Sequence, residues 1–91
     1  MSSKEDLLAE IRNRLNNVSY DELFGLMEAF GFEMEKKTHG YFFFHEELRG
    51  SQISRVGNPQ KGDKKRVKEF YVKNCIEAID LLIERRERGQ R

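Results

Sequence analysis

At Gly31 the spacing of apolar residues changes. Before it, Leu23, Leu26, Met27 and Phe30 recur at the interval of one helix face. After it, Phe32-Glu33-Met34-Glu35-Lys36-Lys37 alternates apolar with polar, which suits a half-buried strand. A glycine at that junction fits a helix C-cap, where left-handed backbone is required. The chain therefore reads as helix before this glycine and strand after it. Upstream, Ser3 to Asp6 reads as a capping box, followed by Leu7, Leu8, Ile11, Leu15 and Val18 at helical spacing, which predicts a first helix over about 4–16. Ser19-Tyr20-Asp21-Glu22 is a second capping box and opens the helix that Gly31 ends.

Downstream, Thr38-His39-Gly40 reads as a turn and Tyr41-Phe42-Phe43-Phe44 as a strand aromatic enough to be the centre of a sheet. Ser51-Gln52-Ile53-Ser54-Arg55-Val56 predicts a third strand, and residues 57–63 a loop by their turn chemistry. Residues 64–88 read as one long helix, with Val72, Cys75, Ile76, Ile79, Leu82 and Ile83 along its apolar stripe. The expected fold class is α+β in the order α-α-β-β-β-α, a three-stranded antiparallel sheet covered on one face by helices. The other face stays open to solvent or a partner. Which aromatics of the second strand point each way is left open by the sequence, because a bulge at Gly40 reverses the parity.

Ninety-one residues make one domain, 1–91, with no room for a second core. The net charge of +1 hides an asymmetry: residues 1–47 sum to −5 and residues 48–91 to +6. A chain divided in this way can offer a basic patch to a polyanion. Cys75 is the single cysteine, which excludes an internal disulfide and a thiolate cluster, and its apolar neighbours predict a core position. No apolar signal region or membrane-length run is present, so the expected compartment is the cytoplasm.

Among residues able to carry chemistry, the two histidines come first, because imidazole exchanges protons near neutral pH. His39 and His45 are six positions apart. On a continuous strand that is about 20 Å, too far to act as an acid–base pair on one phosphodiester. A single histidine would then move the proton, with cations or backbone donors stabilising the phosphorane. His39 follows Lys36-Lys37 and precedes Gly40, so two ammonium groups lie near it and a bare glycine lets a nucleic-acid backbone approach. The plain alternative is a hairpin turn that favours small polar residues. Lys61, Lys64, Lys65, Arg66 and Lys68 form a second basic segment, read as a loop and a helix start of the kind that touches phosphates in double-stranded RNA-binding domains. The alternative there is a solvated helix start.

Four stretches carry a family resemblance. They are Leu23-Phe24-Gly25-Leu26-Met27-Glu28-Ala29-Phe30-Gly31-Phe32-Glu33, then Lys37-Thr38-His39-Gly40-Tyr41-Phe42-Phe43, then Asn58-Pro59-Gln60-Lys61-Gly62-Asp63-Lys64-Lys65 with Tyr71-Val72-Lys73. Together they resemble the HicA toxins of HicA–HicB toxin–antitoxin modules over about residues 19–83, with the helix at about 4–16 as an addition. The resemblance implies a fold like a double-stranded RNA-binding domain and an mRNA-cleaving endoribonuclease that uses no metal or organic cofactor. It implies His39 as the catalytic residue with Thr38 beside it. On this reading Lys36, Lys37, Lys61, Lys64, Lys65 and Arg66 are expected to guide the RNA. It also implies a HicB-like antitoxin that covers His39, and leaves monomer or homodimer open. Lys37-Thr38-His39 stands where the family has Gly-Ser-His, and Asn58-Pro59-Gln60-Lys61 where many relatives have a second histidine. Two other readings stay open: a non-catalytic RNA-binding module with the same fold, and a protein-interaction domain whose Arg-rich C-terminus is only solubilising.

Overall fold

Both capping boxes form. In the computed structural model, which describes residues 3–48, 54–58 and 66–89, Ser3 caps α1 (Lys4–Arg12) and Ser19 caps α2 (Tyr20–Ala29). The Ser19 hydroxyl accepts from the Glu22 amide at 3.1 Å, and the Glu22 carboxylate accepts from the Ser19 amide at 3.1 Å. Each such cap is worth about 1 kcal/mol. Helix α2 stops as expected at Gly31, which has φ +87°. The Gly31 amide donates to the Glu28 carbonyl at 2.9 Å and the Phe32 amide to the Met27 carbonyl at 3.0 Å. This is a Schellman closure, and the apolar pair that accompanies it, Met27 and Phe32, is buried.

Strands β1 (Glu33–Lys37), β2 (Gly40–Phe44) and β3 (Ser54–Gly57) form one antiparallel sheet in the order β1-β2-β3. A 3-10 turn, Glu46–Leu48, follows β2, and α3 (Glu69–Gly89) closes the chain. The fold is thus α+β, α-α-β-β-β-α, with the aromatic strand central. The register pairs Glu35 with Phe42 and Phe42 with Arg55, and Met34 with Phe43 and Phe43 with Ser54. Phe43, Ser54 and Val56 are buried, and the Phe24 ring of α2 lies 4.8 Å from Tyr41 and 5.5 Å from Phe43, centroid to centroid. Tyr41 and Phe43 therefore face the helices, which leaves Phe42, Phe44 and Arg55 on the opposite face. Helix α3 supplies Val72, Cys75, Ile76, Ile79 and Leu82 to the core, each side chain contributing about 1.5–3 kcal/mol if it is a large aliphatic. Burial pushes the Cys75 thiol up to about 12. Among the described residues no helix is long and apolar enough to cross a membrane.

Three local expectations are corrected. Helix α1 ends at Arg12 with Asn13 as its C-cap, not near residue 16. Beyond it the Arg14 guanidinium turns back to the Asn17 carbonyl at 2.8 Å and to the carboxylates of Glu10 and Glu22, which closes a turn and delivers Val18 fully buried into the core. Strand β1 is exposed at every position, with Met34 at 46%. It is one of the two edge strands, and unlike β3 it is not covered by a helix. The inward anchor of the segment is Phe32, just before the strand. Helix α3 begins at Glu69 instead of residue 64. The Val67 amide donates to the Val18 carbonyl at 2.8 Å and Ser19 pairs with Arg66 as an isolated bridge, so this part of the chain is extended. Of the expected third strand, residues 51–53 lie outside the described residues.

Candidate nucleic-acid interface

The hairpin between β1 and β2 is tight. Lys37 pairs with Gly40, which leaves Thr38 and His39 as the whole loop. No described residue other than glycine has positive φ; Gly40 takes φ +145° and lets the strand restart after the turn. An added methyl at Gly40 would overlap the Val56 carbonyl oxygen of β3. Glycine is therefore required by the close approach of two strands, and it brings the loop against the end of β3.

Two side chains from the β3 end hold the loop backbone. Arg55 Nη2 donates to the His39 carbonyl at 2.8 Å, and Asn58 Nδ2 donates to the Thr38 carbonyl at 2.9 Å. Lys36 Nζ donates to Asn58 Oδ1 at 2.8 Å and lies 4.7 Å from the Tyr41 ring centroid. Lys37 Nζ stands 5.7 Å from the Phe42 centroid and 3.8 Å from a Glu35 carboxylate oxygen. His39 and Thr38 are exposed. No described residue holds the His39 imidazole in a hydrogen bond or ion pair. The result is an accessible imidazole on an anchored loop, with Arg55 bonded to its backbone carbonyl and Lys37 on the same sheet face as Arg55, while Lys36 lies on the other face beside Tyr41.

The other residues singled out by sequence divide differently. Arg66 is exposed and lies opposite Ser19, beside the start of α2. That start is tied to the hairpin end of the sheet, because the Tyr20 hydroxyl donates to the Gly57 carbonyl at 2.9 Å and Gly57 pairs with Gly40. Arg66 therefore belongs to the same end of the molecule as His39. Lys68 is the N-cap of α3, its carbonyl accepting from the Val72 amide at 3.2 Å, so it opposes the helix dipole, whereas Arg66 lies two residues before the cap in extended chain and Glu69 opens the first turn. Lys61, Lys64 and Lys65 lie outside the described residues.

His45 has a different setting. It follows the far end of β2, its side chain is 8% exposed, and its ring packs on Phe32 at 5.1 Å. Its Nδ1 accepts from the Glu47 amide at 3.0 Å. This histidine serves the fold. Arg55 and Asn58 were not singled out as site residues by sequence, although the alternation of the third strand places Arg55 opposite Val56. Which aromatic shares that face depends on the cross-strand register, so Arg55 beside Phe42 was not readable. No family model matches the chain, and neither a curated protein nor a solved structure matches it.

Proposed function

We propose that this protein is an RNA-binding endoribonuclease, the toxin of a HicA-like toxin–antitoxin module, acting in the cytoplasm. The observation that carries the reading is the His39 imidazole, exposed on a loop whose two carbonyls are held by Arg55 and Asn58 and whose flanks carry Lys36 and Lys37. Anchoring matters because a proton-transfer group must sit within hydrogen-bond reach of its target, and a loop free to move by an ångström loses much of that advantage.

In the reaction, His39 takes the proton of a ribose 2′-hydroxyl. The oxygen attacks the adjacent phosphorus, and charge builds on the equatorial oxygens, where nearby ammonium and guanidinium groups stabilise it. The P–O5′ bond breaks and the proton passes from the imidazolium to the leaving oxygen. The products are a 2′,3′-cyclic phosphate and a 5′-hydroxyl. Thr38 contacts phosphate or orients the imidazole, and Arg66 with Lys61, Lys64 and Lys65 guides the strand. A HicB-like antitoxin that covers His39 would silence the site.

The test is an in vitro digestion of single-stranded RNA by the wild-type chain beside His39→Ala, with product ends analysed. Cleavage by the wild type, lost in the variant with its circular dichroism unchanged, is the expected result. Equal cleavage by both chains overturns the role of His39. The non-catalytic reading has one observation in its favour: the Lys36 ammonium is engaged by Asn58 and Tyr41 instead of standing free for a phosphate. Salt-sensitive RNA binding without cleavage would select that reading.

A further inference from the structure

The open face of the sheet carries an aromatic ring where water-facing strands normally place polar groups. Phe42 sits at the middle of the central strand, paired laterally with Glu35 on β1 and Arg55 on β3. Its ring is half-buried, and its partners on this face are charged. The helices all lie against the other face, where Tyr41 and Phe43 already supply the aromatic packing. Phe42 therefore adds little to the core, and a threonine or lysine would suit the same strand position in water.

The surroundings of the ring specify a ligand. Lys37 Nζ is 5.7 Å from its centroid. Arg55 uses one guanidinium nitrogen for the His39 carbonyl, and a guanidinium has five N–H donors, so others remain for a phosphate. Phe42 lies three positions from His39, roughly 10 Å of strand and turn, a span that one nucleotide and its flanking phosphate bridge. Glu35 also flanks the ring, 3.8 Å from Lys37 Nζ, so the cations outnumber the one carboxylate beside it, and an apolar ring with Lys37 and Arg55 next to it matches a base with its phosphodiester. A protein strand would instead pair along the exposed edge of β1.

We propose that Phe42 is a stacking platform for an unpaired base of the RNA, with Lys37 and Arg55 on the adjoining phosphates, so that the substrate is single-stranded where it crosses the sheet. This rests on the ribonuclease reading and adds the substrate class. A base inside a duplex has both faces occupied and cannot lie on the ring, whereas an unpaired base of any identity can.

The experiment measures binding of a fluorescein-labelled twelve-nucleotide single-stranded RNA and of its duplex by anisotropy, with His39→Ala in every chain to prevent cutting. Phe42→Leu keeps apolar bulk and removes the aromatic face; it is expected to weaken single-strand binding about tenfold and leave duplex binding unchanged. Phe42→Trp is expected to retain binding. Because the chain has no tryptophan, the emission of that variant reports the platform alone, and single-stranded RNA should quench it while duplex should not. Parent-like single-strand affinity in Phe42→Leu, equal losses for strand and duplex, or an unmoved emission overturns the platform. Those results leave the ribonuclease reading standing if the His39-intact wild type cuts RNA. If the parent binds no RNA, both fall. If stacking is observed but the wild type cuts nothing, the platform stands and the catalytic reading falls.

Discussion

Arg55 and His39 are joined by a bond from the guanidinium of one to the backbone carbonyl of the other, 2.8 Å long. A β3 side chain thus reaches to the start of the central strand and fixes the loop that presents the imidazole. The bond is exposed, so its share of the folding energy is small, about 1 kcal/mol or less. Its effect on the placement of His39 should be larger. Arg55→Gln is expected to reduce RNA cleavage at least about tenfold while the urea midpoint barely moves. Arg55→Lys keeps the charge and loses the forked donor geometry, so it should recover salt-dependent RNA affinity without recovering the cleavage rate. Wild-type rates in both variants would show that the loop does not need this tether.

The proposed chemistry depends on an internal nucleophile. A substrate with 2′-deoxyribose at the cleaved position lacks the attacking oxygen, yet its base and phosphates remain. Such an oligonucleotide should bind with an affinity near that of RNA, resist cutting, and inhibit competitively. Cleavage of ordinary RNA should persist in excess EDTA, since His39 and the cations supply the proton transfer and the charge stabilisation. Steady-state kinetics with the deoxy oligonucleotide as inhibitor checks the first point. Cutting of the deoxy strand, or a rate abolished by EDTA, would rule the mechanism out.

Much of the fold could be read from short-range signals, and the exceptions share one cause. Ser19 with Glu22, and Gly31 after Phe30, are local statements about backbone, and each forms as its residue types demand. The aromatic run at 41–44 placed the central strand for the same reason. Residues 64–68 look helical in composition, but a backbone bond from Val67 to Val18 and the Ser19–Arg66 bridge hold part of them extended. That competition is tertiary and leaves no local trace. Met34 is exposed because the helices cover the β2–β3 side of the sheet and leave β1 bare, while β3, equally an edge, is largely buried under α3, and which edge is covered is likewise a property of the assembled fold. The site divides along the same line. His39 beside Lys36 and Lys37 was visible as a cluster in the chain, whereas Arg55, Asn58 and Phe42 join it only through strand register.

Gly40 tests how closely the hairpin must approach β3. Its φ of +145° is unfavourable for any L side chain, and an added methyl would meet the Val56 carbonyl oxygen and crowd Gly57 Cα at 3.1 Å. The obstruction is backbone and cannot rotate away. Gly40→Ala is therefore expected to cost about 3 kcal/mol or more, a large part of the stability of so small a domain. Gly25→Ala is the control: nothing lies within 4 Å of its added methyl, its backbone is helical, and the change should be neutral or stabilising by up to about 1 kcal/mol. Urea denaturation of the two variants beside the wild type measures both, and similar midpoints for the pair would contradict the close packing.

The link between α1 and α2 predicts how the fold responds to acid. The hydrogen bond from Arg14 holds the Glu22 carboxyl well below its ordinary 4.5, at about 2, with the Ser19 amide adding to the effect. A carboxylate with a depressed folded-state value stabilises the protein fully above its unfolded value and loses that contribution as pH falls from about 4.5 towards about 2. A displacement of that size would correspond to about 3 kcal/mol by linkage. Water reaches the pair, with Arg14 and Glu22 side chains 26% and 37% exposed, and screening reduces the expected figure to about 1 kcal/mol. Glu22→Gln retains an oxygen for the Ser19 amide and removes the charge. It should lower stability by about that amount at pH 7 and match the wild type near pH 2, where the native carboxyl is itself becoming protonated. Glu22→Ala also removes the cap and should cost about 1 kcal/mol more at both pH values. A Glu22→Gln deficit of constant size from pH 7 to pH 2 would assign the effect to packing and leave the Arg14 charge without a role.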